Sequence, residues 1–181
     1  MSTLKVSTIS PLGTDSTKTI TIGDLTNGDT AAGVFTNVPA FKAKASSNQD
    51  VTESSDNKVV LDTEVFDTDN AFDTSNYRFT IPTGKGGKYV LCAGIGNTQE
   101  LDDGSRFNLK FYKNGSEIFD GYTLLRGSGA NQDVAITTTA ILDLSAGDYI
   151  ELYFFTNNSD TNVQIKGDAR TFMSGYRLIG A

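Results

Sequence analysis

Cys92 is the single thiol of the chain, and the chain contains no histidine. A nucleophilic cysteine needs a neighbouring base or cation to hold its thiolate. Without histidine, Ser-His-Asp triads, Cys-His pairs and the common zinc sites are all removed. Set between Leu91 and Ala93, Cys92 reads as a small apolar strand residue, buried in a core or at a subunit contact. Gly84-Lys85-Gly86-Gly87 has the composition of a phosphate loop. It lacks the earlier glycine spacing, the Ser or Thr after the Lys and a following helix, and reads as a turn. Two runs gather hard oxygen ligands, Asp67-Thr68-Asp69-Asn70 and Asp102-Asp103-Gly104. Calcium is the metal they would suit, but neither completes a ligand pattern, and solvated turn residues are the favoured reading. Paired-carboxylate glycosidase chemistry stays open on composition alone, although the acids fall mainly in loop-like stretches. Asn114-Gly115-Ser116 and Asn157-Asn158-Ser159 fit a glycosylation acceptor pattern and read as turns. The expectation is a protein that is not an enzyme and carries no cofactor, with calcium left open.

The bulk properties narrow the partners. A formal net charge of −7 without a compensating basic block argues against nucleic acid. No apolar run approaches the roughly 20 residues of a membrane helix, so no membrane insertion is expected. The opening Met1-Ser2-Thr3-Leu4-Lys5 has no apolar region of a secretory signal. A chain of 181 residues with 38% hydrophobic residues can fill one core, not two.

Whatever chemistry exists must be positioned by strands. No dozen-residue stretch shows apolar positions at i, i+3, i+4 and i+7, whereas period-two alternation recurs. Tyr77, Phe79 and Ile81 share one face, as do Phe107, Leu109 and Phe111, and Ile150, Leu152 and Phe154. Val134, Ile136 and Leu142 share a parity with Thr138 and Ala140. Such strands bury one face and wet the other. Asn114-Gly115 accepts positive φ at both central turn positions and predicts a tight hairpin between Phe107–Tyr112 and Glu117–Phe119. Further turns are predicted at 83–87 and 145–148. The fold class is therefore all-β, a sandwich or barrel of short strands.

Residues 1–38 differ. Leu4–Ile9 and Thr19–Ile22 are strand-like but carry too few large apolar side chains for a core. Strands without a core need a partner edge or a symmetry mate. The segment reads as an anchoring arm with Leu4, Val6, Ile9, Ile20 and Ile22 as docking residues, ending at Val38-Pro39. A floppy tail is the alternative.

From Pro39 to the end, residues 39–181, the chain resembles the complement one-q globular head of the tumour-necrosis-factor superfamily. Pro39-Ala40-Phe41-Lys42-Ala43 is similar to that family's opening Pro-Ala-Phe-Ser-Ala strand. Leu61, Asp67, Phe72, Phe79 and Gly87-Lys88-Tyr89-Val90-Leu91 follow its central pattern in order, with Leu in place of Phe at 61 and 91 and a longer turn before Gly87. Phe79-Thr80-Ile81-Pro82 resembles its Phe-Thr-x-Pro strand end. Leu142 to Ile150 resembles the Leu-x-x-Gly-Asp-x-Val element. Met173-Ser174-Gly175-Tyr176-Arg177-Leu178 resembles the closing strand, with Met173 replacing Phe. The resemblance implies a jelly-roll sandwich preceded by the extended β-rich arm, assembled as a threefold homotrimer. It further implies that Val90, Cys92, Thr137, Thr139, Met173 and Arg177 point to the trimer axis.

The functional expectation is a virion structural protein, the trimeric fibre, spike or decoration head of a bacteriophage. The arm would bind other capsid or tail proteins, and the head would reach a host-surface glycan or receptor. The Leu-Lys-Val-x-Thr-Ile opening followed by Thr-Ile-Thr-Ile-Gly is also similar to the starts of phage structural proteins. The alternatives are a bacterial surface or exported lectin-like binding module and, disfavoured by the missing catalytic groups, a hydrolytic tailspike. Specificity is expected in the polar loops around 98–106, 125–133 and 157–167.

Overall fold

The computed structural model describes residues 38–101, 105–124, 129–157 and 163–178; of 98–101 and 129–133 it describes the backbone alone. The arm, with Leu4, Val6, Ile9, Ile20 and Ile22, lies outside the described residues.

Among the described residues the structure is all strand and turn. The strands are β1 (Ala40–Lys44), β2 (Gln49–Asp50), β3 (Asp56–Lys58), β4 (Thr63–Asp67), β5 (Phe72–Asp73), β6 (Arg78–Thr80) and β7 (Gly87–Leu101). They continue with β8 (Arg106–Lys113), β9 (Ser116–Leu124), β10 (Gly129–Leu144), β11 (Tyr149–Thr156), β12 (Gln164–Ile165) and β13 (Phe172–Arg177). Seven form sheet A, in the order β2-β12-β7-β13-β1-β4 with β10 on the other side of β7. Six form sheet B, in the order β5-β6-β11-β8-β9 with β3 also on β11. Every pairing described is antiparallel.

The period-two patterns explain the two layers. Phe107, Leu109, Phe111, Ile150, Leu152 and Phe154 project inward from sheet B. Tyr89, Leu91, Ala93, Ile95, Ile136 and Ala140 project inward from sheet A, and all twelve are buried. Phe41 of β1 bridges the layers, stacked on Phe79 at 4.0 Å and on Phe72 at 5.6 Å. Offset aromatic stacking adds to area burial and fixes which strands face each other. Tyr89 reaches furthest and settles its hydroxyl on the Lys85 carbonyl at 2.6 Å.

The expected hairpin forms at Asn114-Gly115, with φ of 52° and 80° and Lys113 paired to Ser116. Its strands run longer than the sequence pattern predicts. One expectation fails locally: Tyr77 does not extend the Phe79–Ile81 strand. It sits at φ 52° in the turn before β6. Asp73 takes the Ser75 and Asn76 amides at 2.8 and 2.9 Å, and this closure turns the chain too tightly for Tyr77 to remain extended.

Candidate functional site

Sheet A offers its outer face as three transverse rows set by strand register. Ile141, Val90, Tyr176 and Ala40 lie side by side on β10, β7, β13 and β1. Thr139, Cys92, Ser174, Lys42 and Phe66 form the second row, which reaches β4. Thr137, Gly94, Phe172 and Lys44 form the third.

Val90, Cys92, Thr137 and Thr139 thus share this outer face, and Thr139 is the direct cross-strand neighbour of Cys92. Met173 and Arg177 do not. They have the inward parity of β13, and Met173 is fully buried in the core. The cause is Gly175 between them, whose Cα faces the interior. A Cβ there would fall 2.6 Å from Leu91 Cδ2 and 3.0 Å from the Phe41 ring. Met173 and Arg177 lie on the same side of the strand as this glycine, so Phe172, Ser174 and Tyr176 take the outer face. Ile141, Tyr176 and Phe66 went unrecognised in the sequence.

The third row is partly roofed. The Phe172 ring covers Gly94, and the Lys42 ammonium sits over that ring at 4.9 Å. The first two rows are bare: Ile141 is 62% exposed, Tyr176 50% and Phe66 47%. Beside Phe66, Val65 is the extra residue of a bulge in β4 and is also exposed. The Thr139 hydroxyl donates to the Cys92 sulfur, at 3.5 Å. Among the described residues no ion pair crosses this face. Asp143 and Lys88 stand at its lower border.

Sheet B is finished differently. Lys110 lies 2.9 Å from Asp56 Oδ1 and 2.9 Å from Glu117 Oε2, and Lys58 lies 2.6 Å from Glu151. The Tyr112 ring stacks on Tyr153 at 4.0 Å, and its hydroxyl donates to Asp56 at 2.6 Å. Burial opposes the Lys110 charge, but its bonds to Glu117 and Asp56 outweigh that and hold its pKa above the usual lysine range. Burial and the Asp56 carboxylate push the Tyr112 phenol up to about 12. For Asp56, burial favours the neutral acid, yet the Tyr112 and Lys110 hydrogen bonds prevail and its pKa falls.

Of the calcium candidates, Asp102-Asp103-Gly104 lies outside the described residues. In the other run, Asp67 accepts the amides of Asp69 at 3.1 Å, Ala71 at 2.5 Å and Phe72 at 2.6 Å. Its carboxylate thereby closes the β4–β5 loop. Among the described residues no three acidic or thiol groups are placed to hold a metal ion.

No family model matches the chain. Over 104 residues, 55% of its length, it is 30% identical to the "Uncharacterized protein YqcC" of Bacillus subtilis (strain 168), and it spans 27% of that relative's length. The globular domain of zebrafish complement 1qA protein superposes with a TM-score of 0.55 at 14% identity, covering 78% of this chain and 98% of that one. The tumour necrosis factor Eiger of S. frugiperda gives 0.52 at 13% identity, covering 80% and 93%. Likeness at such identities is a likeness of fold, and in fold this chain is a jelly-roll sandwich like the complement one-q and tumour-necrosis-factor domains.

Proposed function

We propose that the chain is a non-enzymatic, homotrimeric binding head whose subunits meet through the outer face of sheet A. One observation carries this reading: Ile141, Tyr176 and Phe66 are about half exposed or more on the face where strand register also gathers Val90 and Cys92. Large apolar side chains left half in water on one sheet face mark an interface more often than a monomer's free surface. Sheet A is also open enough in side-chain size to pack closely, because Thr137, Thr139 and Ser174 are small.

In the finer reading the head belongs to a bacteriophage fibre, spike or decoration protein, with residues 1–38 docking on capsid or tail proteins and the head meeting a host-surface glycan or receptor. The strand-like, core-poor composition of the arm supports this, since added strands bind through main-chain bonds and three arms multiply weak docking. A second reading is a bacterial surface or exported lectin-like module, of which the matched relative from Bacillus subtilis supports the bacterial setting alone.

Sedimentation equilibrium at micromolar concentration tests the trimer, and a purely monomeric profile would refute it. Deleting residues 1–38 then separates the finer readings. A folded, trimeric head that no longer enters purified particles supports the virion reading. Full incorporation would move the attachment surface to the jelly roll. Absence of the intact chain from particles would favour the bacterial-surface module.

A further inference from the structure

Lys58, Lys110 and Lys113 on sheet B each touch a carboxylate. Among the described residues Arg106, at the start of β8, touches none. Its guanidinium carbon lies 5.2 Å from the Phe155 ring centre and 5.7 Å from that of Tyr122, so two aromatic rings hold it. Its backbone is fixed as well: its amide donates to Asn157 Oδ1 at 2.6 Å, and its carbonyl accepts the Asn157 amide at 3.3 Å. Register explains the cluster. Asn108 pairs with both Phe155 and Tyr122, so those rings flank the outer face two residues from Arg106.

We propose that Arg106, Tyr122, Phe155 and Asn157 form a binding site for a carboxylate-bearing sugar, a uronate or a related acidic glycan residue. The deduction rests on what ring contacts leave unused. A ring face attracts a guanidinium without accepting its N–H bonds in the plane, so the planar fork stays free while its orientation is held. Among the described residues no side chain takes that fork. A bidentate guanidinium–carboxylate contact satisfies it with two parallel bonds. Beside it Tyr122 is 55% exposed and presents an amphipathic ring on which a sugar can lie. Asn157, exposed beside it, has its Oδ1 on the Arg106 amide and offers its NH2 as a donor to a sugar hydroxyl. Arg106, Tyr122 and Phe155 stand on β8, β9 and β11, and Asn157 directly follows β11. With a net charge of −7 the protein does not steer anions toward itself. One site is therefore weak, and copies within a trimer supply the gain through multivalency.

The inference names a ligand class for the proposed binding head, and monovalent probes read the site whether or not the subunits associate. Titrating the full chain with methyl glucuronide, followed by NMR of the Tyr122 ring and by calorimetry, should show saturable binding. Methyl glucoside should bind at least about tenfold more weakly, since a charged pair is lost. Arg106→Ala should lose binding, and Arg106→Lys should recover little of it because an ammonium lacks the fork. Tyr122→Ala should weaken the sugar far more than acetate. Equal binding of glucuronide and glucoside, an unaltered Arg106→Ala, equal binding of a polyglutamate peptide, or no saturation at millimolar glucuronide would each overturn the assignment. Sedimentation of the same samples reports separately on the trimer: a monomer that binds glucuronide refutes the trimer alone. A trimer that ignores glucuronide refutes the site alone.

Discussion

On the outer face of sheet B, Lys110 touches two carboxylates and leans toward the Phe155 ring at 5.4 Å. On the outer face of sheet A, Cys92 has one threonine hydroxyl at 3.5 Å, with half-exposed Tyr176 and Ile141 beside the neighbouring Val90. Both faces belong to antiparallel sheets that bury their other side in one core. The difference lies in how each would meet water. Sheet B pairs Lys58, Lys110 and Lys113 with carboxylates of its own chain, although Ile118, Tyr122 and Leu124 also stand exposed on β9. Sheet A sets Ile141, Tyr176 and Phe66 about half in water or more, and these are the side chains that a partner surface would cover. The largest test is therefore a charge set where sheet A is bare. Ile141→Glu should leave the melting temperature of the isolated subunit nearly unchanged, because the side chain is already 62% exposed. In a trimer it would bury an unpaired carboxylate, worth about 3–5 kcal/mol against association. Sedimentation should show monomers at concentrations where the parent is trimeric. A persisting trimer would place the contact elsewhere.

The reciprocal change belongs on sheet B. Lys110→Met keeps the length of the side chain and strands Asp56 and Glu117. With Lys110 12% exposed but Glu117 40% exposed, water recovers part of the loss. The expected cost is about 1–2 kcal/mol of subunit stability, read by denaturant unfolding. Association should stay within about twofold. If Lys110→Met dissociates the trimer instead, the faces are not independent.

How legible these faces were in the sequence depended on distance along the chain. Period-two runs such as Phe107–Phe111 and Ile150–Phe154 were legible, because strand alternation is local. So was the Asn114-Gly115 hairpin, whose geometry is set by two residues. The sheet B network was not, because Asp56 meets Lys110 and Lys58 meets Glu151 across separations that only the folded register defines. The Arg106 cluster was hidden for the same reason. The β13 error has a different origin. The family resemblance put Met173 and Arg177 outward, yet Gly175 required close approach to a neighbouring strand. A glycine whose Cβ would strike Leu91 must face the core, and Met173 and Arg177, two residues to either side, go with it. Parity anchored on that glycine gives Tyr176 as the outer residue.

Acid separates the faces more gently. Asp148, near the base of sheet B, holds Lys113 at 2.8 Å and accepts from the Ser145 amide and the Asn114 side chain. The Lys113 bond, acting against burial, leads in drawing its pKa from 3.8 to about 2. A depressed carboxyl stabilises the folded state above its unfolded pKa, and that contribution fades as pH falls through the folded value. Subunit stability should therefore drop by about 1–2 kcal/mol between pH 4 and pH 2, after allowance for solvent. Asp148→Asn should flatten that part of the profile and lower stability at pH 7. Among the residues whose side chains are described, the three central rows of sheet A's face carry no carboxylate, and Asp143 stands at their border. Association should accordingly change less than stability over the same interval. A steeper loss of trimer than of fold would show that acidic groups sit in the contact.

The smallest expected effect is the most discriminating, because it asks what the Thr139 hydroxyl does. Thr139→Val preserves the β-branched shape and the strand preference while replacing the hydroxyl with a methyl. On an interior surface such a swap is costly when the hydroxyl has a strong partner and nearly neutral when it does not. Here the acceptor is the Cys92 sulfur at 3.5 Å, a weak one. If sheet A's outer face is covered by neighbouring subunits, the added methyl leaves water on assembly. Association should then be unchanged or tighter by up to about 0.8 kcal/mol, the value of one buried methylene. If the face stays open to solvent, the methyl has nothing to pack on and the monomer–trimer equilibrium is indifferent to it. Cys92→Ser provides the opposite arm: it replaces a sulfur by a smaller, more polar atom on the same row and should weaken association by a similar amount. Opposite shifts from the two variants, measured by sedimentation at one concentration series, would locate Thr139 and Cys92 inside the contact. Two null results beside a dissociating Ile141→Glu would shrink the contact to the Ile141, Val90 and Tyr176 row.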